Sequence, residues 1–161
     1  MSLHNAVAMI KEDHRRVESL YHDYQRLDGQ HAEQRRVVEH ICDALEIHAR
    51  LEEDIFYTAI QARMLQDRPD LVEEALKEHR AMKRLIDQLQ NGGLSDTDYD
   101  KTVHQLMRDV RHHIHEAEEE MLPRAEQQLG DSLAHLGMQM QQRKRELLAA
   151  RSTAEQLGQG T

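Results

Sequence analysis

Residues 38–59, VEHICDALEIHARLEEDIFYTA, decide the fold. Apolar residues recur in this stretch at steps of three and four, as Val38, Ile41 and Leu45, then Ile55 and Ala59. That spacing keeps one stripe of an α-helix turned toward a bundle core. The stripe also passes through His48 and Glu52, so an imidazole and a carboxylate take positions that the pattern gives to the core. Four residues apart, the two side chains lie on one helix face and can reach the same ion.

The pattern repeats on either side. Val7, Ile10, His14, Val17, Tyr21 and Tyr24 line up in the preceding segment, Val72, Ala75, His79, Met82, Ile86 and Leu89 in the next, and Val103, Leu106, Val110, His113 and Ala117 in the one after. Each of these segments carries a stripe histidine. Breakers set the limits: Leu3 to Leu27 before Asp28-Gly29, Ala32 to Met64 before Asp67-Arg68-Pro69, Pro69 to Leu89 before Asn91-Gly92-Gly93, and Ser95 to Leu129 before Gly130. Ser95 followed three residues later by Asp98 fits a helix cap. A shorter fifth helix is expected over Leu133 to Ala150. The sequence therefore predicts an all-α, up-down four-helix bundle with an additional short C-terminal helix. One domain is expected over residues 1–150, with 151–161 a polar, flexible C-terminal tail.

Composition agrees and narrows the function. Only seven glycines and two prolines interrupt the 161 residues, and tryptophan is absent. The net charge of −9 disfavours nucleic acid and anionic membranes, which are bound largely through Lys and Arg. Cys42 is the single cysteine, which excludes an intrachain disulfide and any thiolate-rich zinc or iron–sulfur site. No apolar run reaches the roughly 20 residues that span a bilayer, and Met1-Ser2-Leu3-His4 has no basic, apolar leader pattern. A cytoplasmic setting is the expectation.

There are 12 histidines. His4, His22, His31, His40, His104, His112 and His135 read as ordinary surface residues. The four stripe histidines differ, because each polar group buried without a partner costs roughly 1–3 kcal/mol. A shared cation removes that cost. In antiparallel neighbours, mid-helix positions meet at one height, so His14, His48, His79 and His113 can converge. Imidazole and carboxylate without thiolate suit iron, manganese or zinc. Ferritin-like chemistry is set aside, since no Glu is followed three residues later by His. No serine or cysteine stands in a nucleophile context.

Ile10-Lys11-Glu12-Asp13-His14, His48-Ala49-Arg50-Leu51-Glu52-Glu53, Glu78-His79-Arg80 and His112-His113-Ile114-His115-Glu116-Ala117-Glu118-Glu119-Glu120-Met121-Leu122-Pro123 together resemble the hemerythrin-like (HHE cation-binding) family, bacterial type, over about Asn5 to Ala150. The resemblance implies metal ligands at His14, His48, Glu52, His79 and His113, with a second, bridging carboxylate on the fourth helix. Family members place that carboxylate four or five residues after the histidine; Ala117 occupies the first position and Glu118 the second. Glu118 is the choice, with His115 and Glu119, at spacing four but out of phase with the stripe, as the alternative. The oxygen carriers of the family have a further histidine where this chain has Lys83. Tyr57 stands near the centre as a core residue, a hydrogen-bond donor or a ligand.

What the resemblance implies for function is a non-haem di-iron protein, with two iron ions, oxo- or hydroxo-bridged, that binds or processes dioxygen, peroxide or nitric oxide. The missing histidine points away from plain oxygen carriage and toward peroxide- or nitric-oxide-decomposing activity. The alternative is an iron or oxygen sensor, or an iron-storage module without turnover. The expected partner is a small diatomic ligand or peroxide.

Overall fold

Helix α1 (Ala6–Arg26) starts at Asn5, whose Oδ1 accepts the Ala8 backbone N–H at 2.8 Å in the computed structural model, which describes residues 5–63 and 68–159. A turn through Gly29, at φ +83°, leads into α2 (His31–Leu51). The chain then winds through a π-helical turn, Glu52–Phe56, and resumes as α3 (Tyr57–Arg63). Next come α4 (Asp70–Gln90) and α5 (Asp96–Glu116), the latter capped by Ser95 Oγ, which accepts the Asp98 N–H at 3.1 Å. A second π-helical turn, Ala117–Met121, leads into α6 (Leu122–Leu129), and α7 (Ser132–Gln159) closes the chain. The expected helix start at Leu3, the surface position of His4 and the expected stop at Met64 and Asp67 lie outside the described residues.

The result is an all-helical bundle. Helices α1 and α2 pack as one hairpin, α4 and α5 as another, α2 meets α4, and α7 lies against α1 and α2. The final helix is not the short one expected to stop at Ala150: it spans 28 residues and is the longest among the described residues. Ala, Leu, Glu and Gln continue through 149–157, and all favour helix. Arg151 ties this part to α2 through Asp43 and through Glu46, the latter at 2.7 Å. Residues 151–159 are thus helical, while 160–161 lie outside the described residues.

The π-helical turns alter the apolar register. Each closes on an i→i+5 bond, from the Tyr57 N–H to the Glu52 carbonyl and from the Leu122 N–H to the Ala117 carbonyl. After the first turn the buried stripe moves on by one residue: Phe56 and Ile60 are in the core, where Ile55 and Ala59 were expected, and the latter two are only partly buried. Period-3.6 counting runs straight through such a turn and so misses the shift.

Two apolar clusters make up the core. One gathers Val7, Ile10, Leu51, Phe56, Leu122 and Met140, the other Val17, Tyr21, Ile41, Met82, Leu106 and Val110. Between them, at mid-height, runs a layer of polar residues. Two phenols in the second cluster find surface partners: Tyr24 donates to Asp100 Oδ1 at 2.6 Å, and the Tyr21 hydroxyl meets His104 Nδ1. His104 is therefore half-buried and engaged, in contrast to the plain surface position expected of it.

Candidate metal centre

His14, His48, His79 and His113 all fall in the polar layer, each between 5% and 7% exposed, and Glu52 at their middle is fully buried. The rings form two pairs, one per hairpin. His14 meets His48 edge-on with centroids 5.1 Å apart, and His79 meets His113 at 4.8 Å. Glu52 stands between the pairs, its Oε1 lying 3.0 Å from His48 Nε2, 3.3 Å from His79 Nε2 and 3.5 Å from His113 Nε2. The Nε2 atoms of His79 and His113 are 3.4 Å apart.

Those separations fit a cation. Donor atoms about 2.0–2.2 Å from one ion stand roughly 2.8–3.6 Å from each other in tetrahedral or octahedral shells. Hydrogen bonding accounts for only part of them: His79 Nε2 meets His113 Nε2 and the Tyr57 hydroxyl, but His14 Nε2, His48 Nε2 and both Glu52 oxygens, with His79 Nδ1 on the Glu53 side of its ring, are buried without an aligned hydrogen-bond partner. Orphaned buried polar atoms are rare in folded proteins because each keeps its desolvation cost. Here four of the five gather about Glu52.

The outer ring nitrogens have carboxylate partners. Asp13 Oδ2 lies 2.8 Å from His48 Nδ1, Glu78 Oε1 lies 2.9 Å from His113 Nδ1, and Glu118 Oε2 lies 3.2 Å from His14 Nδ1. A carboxylate on one ring nitrogen fixes the tautomer and turns the other nitrogen toward the ion. Sequence reasoning assigned no role to Asp13 or Glu78, yet each directly precedes a stripe histidine and orients the histidine of the neighbouring helix. Glu118 stands beside His14 with its side chain 34% exposed, at the edge of the cluster rather than its centre. His115 and Glu119, the alternative pair, are exposed on the outer face.

Tyr57 is buried with its hydroxyl 3.3 Å from His79 Nε2. Burial pushes its phenol well above the usual range, and the charge of Glu52 adds to that. Lys83 points outward, its Nζ 3.1 Å from Asp87 and 3.9 Å from Glu46. Beside the cluster a cavity of about 650 Å³ is lined by His14, His48, His79 and His113, with Lys83 and Arg80 among its other walls.

The imidazoles and carboxylates of the layer shift one another's acidity. Burial lowers the His48 imidazole, but the charges of Glu52 and Asp13 outweigh it and raise the group to about 10. Burial likewise opposes His113, and contacts with Glu52 and Glu78 raise it to about 9. For His14, burial and the charge of His48 prevail and lower it to about 3. Burial would raise the Glu52 carboxyl, yet His48 and the neighbouring imidazoles hold it well below the carboxylate range.

A sequence model of the hemerythrin HHE cation binding domain matches residues 5–125, three quarters of the chain and the whole of the histidine layer. The chain belongs to the hemerythrin HHE cation-binding family. Neither a comparison with curated proteins nor one with solved structures gives a match. Membership agrees with the geometry: a cation-binding family and a buried His/Glu cluster in which donor atoms of Glu52, His79 and His113 lie within 4.8 Å of one another. Helix α7 lies beyond the matched residues and still reaches the layer, because Lys144 Nζ stands 3.5 Å from Asp13 Oδ1.

Proposed function

We propose that this hemerythrin-family protein binds two iron ions and uses them to bind or process dioxygen, peroxide or nitric oxide. The observation that carries this reading is the buried Glu52 carboxylate, flanked by one histidine pair from each hairpin, with both its oxygens and the Nε2 atoms of His14 and His48 left without a hydrogen-bond partner. His14 and His48 are the ligands on one side, His79 and His113 on the other, and Glu52 serves both. Glu118, expected as a second ligand carboxylate, instead holds the outer nitrogen of His14 from the edge of the cluster. Bound iron supplies electron exchange with the small ligand, a chemistry that side chains cannot perform.

The chain's own residues set the conditions. Asp13 and Glu78 hold His48 and His113 so that Nε2 faces the centre. Tyr57 places a hydroxyl beside His79, where it can donate to a small ligand. Lys83 is occupied by Asp87 and Glu46, so the His79 side has no further protein ligand from that position and keeps room for one. The cavity beside the four histidines gives entry. Peroxide or nitric oxide turnover fits these features better than reversible carriage. The lone, buried Cys42 supports a reducing cytoplasmic setting, and the charge of −9 argues against nucleic acid or membrane partners. Among the described residues no helix is long and apolar enough to cross a membrane.

Anaerobic reconstitution with ferrous iron tests the proposal. The expected result is about two irons per chain and a visible spectrum that changes on exposure to oxygen, peroxide or nitric oxide. Failure to retain iron, or an unchanged spectrum with no peroxide consumed, overturns it.

A further inference from the structure

Away from the interior layer, His112 and Glu116 stand one turn apart on the outer face of α5, with side chains 65% and 43% exposed. Glu78 of α4 faces them. His112 Nε2 lies 3.2 Å from Glu116 Oε1 and 3.4 Å from Glu78 Oε2, and three donor atoms of these residues lie within 4.8 Å of one another. The other oxygen of Glu78, Oε1, is the acceptor for His113 Nδ1. One carboxylate therefore has an oxygen turned to each of two clusters.

Among the described residues no Lys or Arg nitrogen stands within ion-pair distance of Glu78 or Glu116, whereas nearby Glu74 and Glu120 have Lys77 and Arg68. His112 is the solvent-facing imidazole that meets both carboxylates, while the other oxygen of Glu78 is taken by His113. Two helices hold the three ligands at coordination distance, and the solvent side is free for water to complete the shell. One imidazole with two carboxylates suits a divalent first-row ion such as zinc, manganese or ferrous iron.

We propose that Glu78, His112 and Glu116 form a second, exterior site for a divalent transition-metal cation, coupled to the interior histidine cluster through the shared Glu78 carboxylate. A cation on Oε2 draws electron density from Oε1 and makes it a weaker acceptor for the His113 N–H. His113 then becomes a poorer donor toward the interior. The two sites weaken each other, and by linkage they do so to the same extent. The exterior site stands on its own three residues; only the coupling rests on the metal-binding reading of the interior cluster.

Equilibrium dialysis of the full chain against zinc, read by elemental analysis, tests this. His112→Asn and Glu116→Gln are both surface changes, and far-UV circular dichroism checks that each variant keeps its helix content. Each should lose one zinc equivalent of the weaker class and bind the tighter class at least as strongly as before. Glu78→Gln should lose the same equivalent and also weaken the tighter class by about 10–100-fold. Zinc counts in His112→Asn and Glu116→Gln equal to those of the unsubstituted chain overturn the exterior site. Tight binding that is weaker in His112→Asn, or unaltered in Glu78→Gln, overturns the coupling. Glu52→Gln separates the two readings: retention of the tight class there sinks the interior assignment, while the loss seen in His112→Asn still upholds the exterior one.

Discussion

The α2–α3 and α5–α6 segments break helical step in the same way and put different residues at the break. Each has a layer histidine, His48 or His113, followed four residues later by the first residue of a π-helical turn. In the first segment that residue is Glu52, fully buried at the centre; in the second it is Ala117, 4% exposed, and the carboxylate comes one position later as Glu118. One place along the helix turns the side chain by about 100°. That difference moves a carboxylate from contact with three imidazoles to contact with the outer nitrogen of one. A common backbone device thus produces a central ligand on one side and a flanking one on the other.

Removing the central carboxylate tests the comparison most severely. Glu52→Gln keeps the volume and removes the charge shared by both histidine pairs, so cation affinity should fall by more than the about 100-fold typical of the strongest outer-shell losses. Metal retained per chain after gel filtration reads this directly. Full retention would mean that Glu52 is a structural buried acid.

Substitution in the other segment should have a smaller effect. Glu118→Ala should weaken cation binding by about 10-fold through the freed His14 ring, and Glu119→Ala, one residue further on the exposed face, should not change it. Competitive titration with a chelating dye distinguishes these outcomes. Equal losses in the two variants would erase the asymmetry.

Acidity provides the gentlest test. His48 and His113 have folded-state values of about 10 and about 9, above their ordinary 6.5, so the stability they contribute is complete below pH 6.5 and is lost as pH rises through 9 to 10. A bound cation substitutes for both protons. The metal-free chain should therefore melt several degrees lower at pH 9.5 than at pH 6.5, and the gain in melting temperature on loading should widen over that range. A gain independent of pH would show that loading displaces no protons from these rings.

The bundle and most of the layer were legible from residue spacing. His14, His48, His79 and His113 could be picked out because they interrupt an apolar stripe without changing its period, and burial confirms their phase. Glu52 was legible for the same reason. Counting failed where local geometry departs from 3.6 residues per turn: Phe56 and Ile60 replaced Ile55 and Ala59 after the first π-helical turn, and no residue pattern on the α2 stripe announces that i→i+5 bond. Asp13 and Glu78 escaped because each serves a helix other than its own, a relation that one-helix periodicity cannot express. The extent of α7 was missed because its outer half is polar, and the Arg151 contacts that hold it are made to α2, more than a hundred residues earlier in the chain.

The polar layer also divides the greasy interior of the bundle into two halves that meet at a seam of histidine rings. A ligand that occupies only the folded form raises the free energy of unfolding in proportion to the logarithm of its concentration. A cation held at this seam would then lengthen the life of the folded chain as well as supply its chemistry, because a copy that opens more often is the one that proteases clear.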